Sequence, residues 1–150
     1  MSPAAVAKYQ DNQLDLSVRS ASPLELIVIL YDGAIHAIQR AGMLLQQGDI
    51  AGKSEQIAKA SNIVSELAGV LDASHGEVAQ NLRGLYGYIA LQLLQGNLHN
   101  RREQLDVARA LLVDLRDAWS ELSERQHAQR LQLALSGQGA GHESFAASAV

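Results

Sequence analysis

The sequence predicts an all-α protein, an antiparallel four-helix bundle with a flexible N-terminal segment and a disordered C-terminal tail. Three observations carry that prediction. Leu and Ala, both strong helix formers, fill 46 of the 150 positions. Six aromatic residues, two prolines and no cysteine leave no β-branched and aromatic runs for sheets, no disulfide framework and no thiolate chemistry. Four apolar stripes of helical period, joined by short connections, pair most simply up and down.

Each element follows from its start and stop signals. Residues 1–21 form a polar lead with scattered apolar anchors at Tyr9, Leu14, Leu16 and Val18. Ser22-Pro23-Leu24-Glu25 then places a capping Ser, a Pro at the first helical position and a Glu three residues after the cap, which opens helix 1. Its apolar run ends at Gly48, where only Gly turns left-handed at little cost. Asp49 caps helix 2, expected to reach about Ala73, and Ser74-His75-Gly76 breaks the chain before helix 3, about Glu77 to Asn97. Asn100 with Glu103 repeats the cap pattern and opens helix 4, through Leu122 or beyond. The glycines from Gly137 to Gly141 mark the tail. The domain division is therefore 1–21 lead, 22–125 bundle, and 126–150 helical extension and tail.

Projection at 100° per residue assigns the core faces. Helix 1 gives Leu26, Ile27, Leu30, Ala34, Ala37, Ile38, Ala41, Leu44 and Leu45, and helix 2 gives Ile57, Ala60, Val64, Leu67, Ala68 and Leu71. Helix 3 gives Val78, Leu82, Leu85, Ile89 and Leu93, and helix 4 gives Leu105, Ala108, Leu112, Leu115, Trp119 and Leu122. A surplus remains. Leu24, Val28, Tyr31 and Ile35 make a second stripe on helix 1, Ile63 and Val70 a shoulder on helix 2, and Leu91, Leu94 and Leu98 a row opposite Ile89 beside Gly84 and Gly87. Apolar residues in this spacing are read three ways: a wide core or one covered by the chain's own termini, a homo-oligomer interface, or a groove for a foreign helix.

Other chemistry is sparse. Twelve basic against sixteen acidic residues, with one adjacent basic pair, give no nucleic-acid surface. The N-terminus lacks the charged and apolar regions of a signal peptide, and the longest all-apolar run, Leu26 to Tyr31, is far too short to span a membrane, so a cytosolic protein is expected. A di-iron bundle needs two Glu-x-x-His pairs and two further inward Glu; the chain offers only Glu124 to His127, past the core stripe. No glycine-rich phosphate loop follows a strand, and no nucleophile elbow is present, so neither cofactor nor enzyme is expected.

Ser20-Ala21-Ser22-Pro23-Leu24-Glu25-Leu26, continued by Leu30-Tyr31-Asp32-Gly33-Ala34-Ile35, resembles the flagellar export chaperone FliS family at its most specific motif. The likeness continues through Gln47-Gly48-Asp49, Lys59 to Leu67, Asn81-Leu82 with Leu85-Tyr86-Gly87-Tyr88-Ile89, Asn97 to Asn100, and Leu115 to Trp119. The resemblance implies a cytosolic chaperone that binds the disordered C-terminal region of flagellin, stops premature polymerisation and delivers the subunit to the flagellar type III export gate. It also implies that a Tyr-bearing N-terminal segment, here with Tyr9 and Val18, lies over the client groove. Tyr86, inside a matching stretch, joins the candidate partner-binding set of Leu24, Val28, Tyr31, Ile35, Ile63, Val70, Leu91, Leu94 and Leu98. Gly87 and Leu91-Gln92 depart from the family pattern and leave the outer face of helix 3 more apolar. The alternative reading is a homo-oligomeric bundle, with a homodimer as its simplest form, that uses the same faces.

Overall fold

Helix α1, Pro23–Gln46, begins as its capping box requires: Ser22 Oγ accepts from the Glu25 N–H at 3.2 Å, and Glu25 Oε2 accepts from the Ser22 N–H at 3.2 Å. The computed structural model describes residues 22–71 and 76–139, with side chains to 137. Gly48, at φ 78°, closes α1 with two return hydrogen bonds, Gly48 N–H to Leu45 O and Asp49 N–H to Leu44 O. Asp49 then caps α2, Ile50–Gly69, through its carboxylate and the Gly52 N–H. Helix α3 is Gly76–His99 and α4 is Arg102–Gly139.

Three boundaries differ from expectation. Helix α2 stops at Gly69, short of Ala73, because a residue without a side chain weakens the helix where Val70 and Leu71 turn back onto Glu66 O and Ala68 O. Asn100 does not cap α4. At φ 52° it is the left-handed residue that ends α3, and the following Arg101 N–H returns to Gly96 O. Helix α4 runs past Leu122 into the extension expected from 126 and on to Gly139, beyond Gly137 where the tail was expected to begin; residues 123–136, mostly Gln, Arg, Leu, Ala and Glu with no proline, carry it there. The lead, the break at Ser74-His75 and the tail from 140 lie outside the described residues.

The helices form a square. Helix α1 packs on α2 and α4, and α3 packs on the same two, with antiparallel neighbours throughout. Tyr31, Ile38, Leu67, Ile89, Leu93, Leu105 and Leu112 are at the centre, each under 3% exposed. Ala34, Ala41, Ala60 and Ala108 are also fully buried and keep the axes close. Fully burying one Leu or Ile contributes about 1.5–3 kcal/mol, so this centre dominates the stabilising side of folding.

A polar seam fixes the register of α1 against α4. Arg102 Nη1 donates to Gln46 Oε1 at 3.2 Å, Arg109 reaches Gln39 Oε1 through Nη2 and Nε at 2.9 and 3.2 Å, and Arg116 Nε donates to Asp32 Oδ1 at 2.8 Å. Each pair of residue numbers adds to 148, and successive pairs are seven residues apart. Two antiparallel helices in constant register produce that pattern. By the same count Pro23, the first residue of α1, faces 125, so residues 126–139 of α4 project beyond the bundle by about 21 Å at 1.5 Å per residue.

The opposite end carries a buried lysine. Lys53, 1% exposed, donates from Nζ to Asn97 O at 3.0 Å and to Asn100 Oδ1. It thereby satisfies a carbonyl of the last turn of α3 and sets a positive charge at the negative end of that helix. Ser54 Oγ, beside it, donates to Asn97 Oδ1 at 2.9 Å.

Candidate functional site

The outer face of α3 carries an exposed apolar row. Leu91, Leu94 and Leu98 are 48, 52 and 64% exposed. Gly84 and Gly87 precede them on the same face, and a Cβ added at either glycine would meet nothing within 4 Å. The five positions follow one another at intervals of three, four, three and four residues, the spacing with which one helix receives another. The leucines offer anchors, and the glycines let a second backbone come close. The row runs over fifteen residues, about 21 Å between its end positions.

Two hollows lie elsewhere on the bundle. Between α1 and α2 a groove of about 480 Å³ has a floor of Ile29, Leu30, Gly33 and Ile63 and a rim of Glu55, Lys59, Asn62 and Glu66. Gly33 opens it, since a Cβ there would sit 3.3 Å from Ile63 Cδ1. At the end of the bundle where α1 and α3 begin, a cavity of about 170 Å³ lies among Ile27, Leu67, Leu71, Leu82, Tyr86 and Trp119, with Val70 and Val78 also lining it.

The structure divides the sequence-predicted partner set. Leu91, Leu94, Leu98 and Val70 are exposed, and Leu24, Val28 and Ile63 are half-buried. Tyr31, Ile35 and Tyr86 are corrected: at 0, 8 and 3% exposure they belong to the core and present nothing to a partner. The reason is that α1 packs between α2 and α4, so its buried arc is wider than one stripe and takes in Tyr31 and Ile35. Tyr9 and Val18 lie outside the described residues. Projection also placed Val78 and Leu122 in the core, yet they are 64 and 47% exposed, because their neighbours stop at this end of the bundle. Sequence reasoning missed Ile29 as groove floor; its three-residue step from the half-buried Leu26 was the available signal.

Tyr31 and Tyr86 meet across the centre, from helices that are not neighbours in the square. Their hydroxyls hydrogen-bond, with ring centroids 6.5 Å apart and planes at 46°. Burial raises the pKa of the Tyr31 phenol above 10.0; the bond to Tyr86 adds to the shift, and the nearby Trp119 indole opposes it in part. Burial also raises the pKa of Tyr86, with the Tyr31 bond opposing. The pKa of Arg116 is raised by its hydrogen bond to Asp32. These groups are structural, and among the described residues no three His, Asp or Glu side chains come together as a metal site. No described helix is long and apolar enough to cross a membrane.

Comparison with known proteins gives a consistent result. Residues 5–126 match the profile of the family described as flagellar protein FliS. The chain is 37% identical over 124 residues to the flagellar secretion chaperone FliS of Salmonella typhimurium, covering 81% of this chain and 92% of that one. It is 31% identical over 122 residues to FliS of Bacillus subtilis, covering 81% and 88%. It is 32% identical over 120 residues to the flagellar secretion chaperone FliSB of Pseudomonas aeruginosa, covering 79% and 95%.

Proposed function

The chain belongs to the FliS family of flagellar secretion chaperones, and from that premise we propose that it binds the disordered C-terminal segment of flagellin in the cytosol. It keeps the subunit from polymerising and presents it to the cytosolic domain of the export gate protein. The work is done by binding, with no bond made or broken. The observation that carries this reading is the exposed row Leu91, Leu94 and Leu98 with Gly84 and Gly87, a helix-accepting face on a bundle that does not need it for its own core. A segment that folds as it binds gives up about 2–5 kcal/mol or more in ordering, so it needs an apolar surface of this continuity. The half-buried Leu24, Val28 and Ile63 extend the contact toward the α1–α2 groove. The lead, with Tyr9 and Val18, covers the face until the client arrives.

Titration calorimetry of the full chain with flagellin, intact and lacking its C-terminal segment, tests the proposal. Intact flagellin binds and the truncated form does not. Leu94→Asp lowers affinity at least about tenfold by placing a charge in the contact, and leaves helicity unchanged. Equal binding of both flagellin forms would overturn the reading.

A further inference from the structure

The buried lysine grips the same turn that carries the last leucine of the exposed α3 row. Leu98, 64% exposed, is in the final turn of α3, next to Asn97 and two residues before Asn100. Lys53 Nζ holds both, donating to Asn97 O at 3.0 Å and to Asn100 Oδ1. The first of these bonds replaces one that the helix gives up. In a continuing helix the Arg101 N–H would serve Asn97 O, but it returns to Gly96 O because Asn100 is left-handed at φ 52°. Lys53 supplies the donor for the carbonyl that this reversal leaves open. Ser54 Oγ donates to Asn97 Oδ1 at 2.9 Å, so α2 holds Asn97 by backbone and side chain together.

The grip has a firm base. Lys53 is in the first turn of α2, where the Asp49 carboxylate takes the Gly52 N–H at 2.9 Å and the Asp49 carbonyl takes the Lys53 N–H at 3.0 Å. From the other side α4 leans on the same turn of α3: Leu105, 1% exposed, fills the space beside Gly96, where an added Cβ would be 2.8 Å from Leu105 Cδ2. Gly84, Gly87, Leu91 and Leu94 lie in the interior of α3, where the ladder of the helix fixes the backbone. Leu98 is at the helix end, where the last carbonyls lack intrahelical donors and local opening begins.

Taking the α3 row as the flagellin-binding surface, as proposed above, we propose that Lys53 is a positioning residue for it. Lys53 keeps the last turn of α3 closed, so that Leu98 is in place before the client arrives. An anchor already held in its bound position loses less freedom on binding than one on a fraying turn. Lys53, 1% exposed, acts through Asn97 and Asn100 and not by touching the client.

A double-mutant cycle in flagellin affinity, measured by titration calorimetry on the full chain, tests the proposal. Lys53→Met removes the donor, and Leu98→Ala removes the anchor. Each lowers affinity about tenfold, and the two together still lower it only about tenfold, since either change alone loses the same contact. Lys53→Met combined with Leu91→Ala is additive, at about a hundredfold, because Leu91 is far from the helix end. In the free protein Lys53→Met speeds hydrogen exchange of the Arg101 amide much more than exchange within α1. Asn100→Gly is the second variant, and it decides the matter if Lys53→Met does not fold. Glycine adopts φ 52° readily, so the turn is kept and only the Oδ1 acceptor is lost. It lowers affinity about threefold or more, again without adding to Leu98→Ala. Wild-type affinity in these variants overturns the proposal, as does additivity with Leu98→Ala, which would make Lys53 a residue of stability alone. Leu94→Asp keeps the two readings apart. If it is weakened while the Lys53 and Asn100 variants are not, only the positioning role falls; if it binds as the wild type does, the chaperone reading falls and the positioning role with it.

Discussion

Replacing Tyr31 by Phe removes one oxygen from the middle of the bundle and leaves a buried partner unpaired. The Tyr86 hydroxyl, on a residue 3% exposed, loses the group it bonds to. A buried polar group left unpaired costs about 1–3 kcal/mol, and Tyr31→Phe falls in that range. Tyr86→Phe leaves the Tyr31 hydroxyl, on a residue 0% exposed, unpaired in turn and falls in the same range. The double variant removes both hydroxyls and keeps the rings, so it costs less than the two singles added together by about 1 kcal/mol or more. For a chain of this length each kcal/mol lowers the thermal midpoint by about 2–4 °C. Urea unfolding followed by far-UV circular dichroism measures all four corners of the cycle. Additivity within about 0.5 kcal/mol would show that the hydroxyls do not act as a pair, and the account of the core given above would be wrong.

Three further outcomes are expected. Because the folded-state pKa values of Tyr31 and Tyr86 lie above 10.0, their contribution to stability is complete below pH 10 and is lost as pH rises toward the folded values; urea midpoints across that range fall, and fall less in the double Phe variant. Gly96→Ala places a Cβ 2.8 Å from Leu105 Cδ2 and 3.2 Å from Arg101 O, an overpacked corner between α3 and α4 that costs about 1–3 kcal/mol in the same assay. Ser22→Ala removes the cap of α1 and costs about 0.5–2 kcal/mol, while Ser22→Gly costs only a few tenths; no loss in Ser22→Ala would show that the side chain is not the cap.

The sequence showed the four helices and most of their ends because caps and glycines act locally. Ser22, Gly48 and Asp49 each do in the structure what their chemistry suggests in isolation. Asn100 misled because the same side chain serves as an N-cap or as a left-handed C-terminal residue, and its conformation follows from α3 ending there. The exposed row on α3 was legible because α3 has a single buried side, with Ile89 and Leu93 buried and Leu91 and Leu94 out. Tyr31 and Ile35 were placed outside because a projection shows angular position and not how wide an arc the neighbouring helices cover. Val78 and Leu122 were placed inside for the related reason that a projection carries no information about where a neighbour stops.

The tyrosine pair and the end cavity share a residue that makes them visible in solution. Trp119 is the only tryptophan of the chain, half-buried at the wall of the cavity that Tyr86 also lines. The intrinsic fluorescence of this protein is therefore a signal from one address. A blue shift reports that something apolar has entered the end of the bundle, and binding on the distant half of α3, at Leu94 or Leu98, leaves the emission unmoved. One dye-free titration thus separates occupants of the two surfaces by colour.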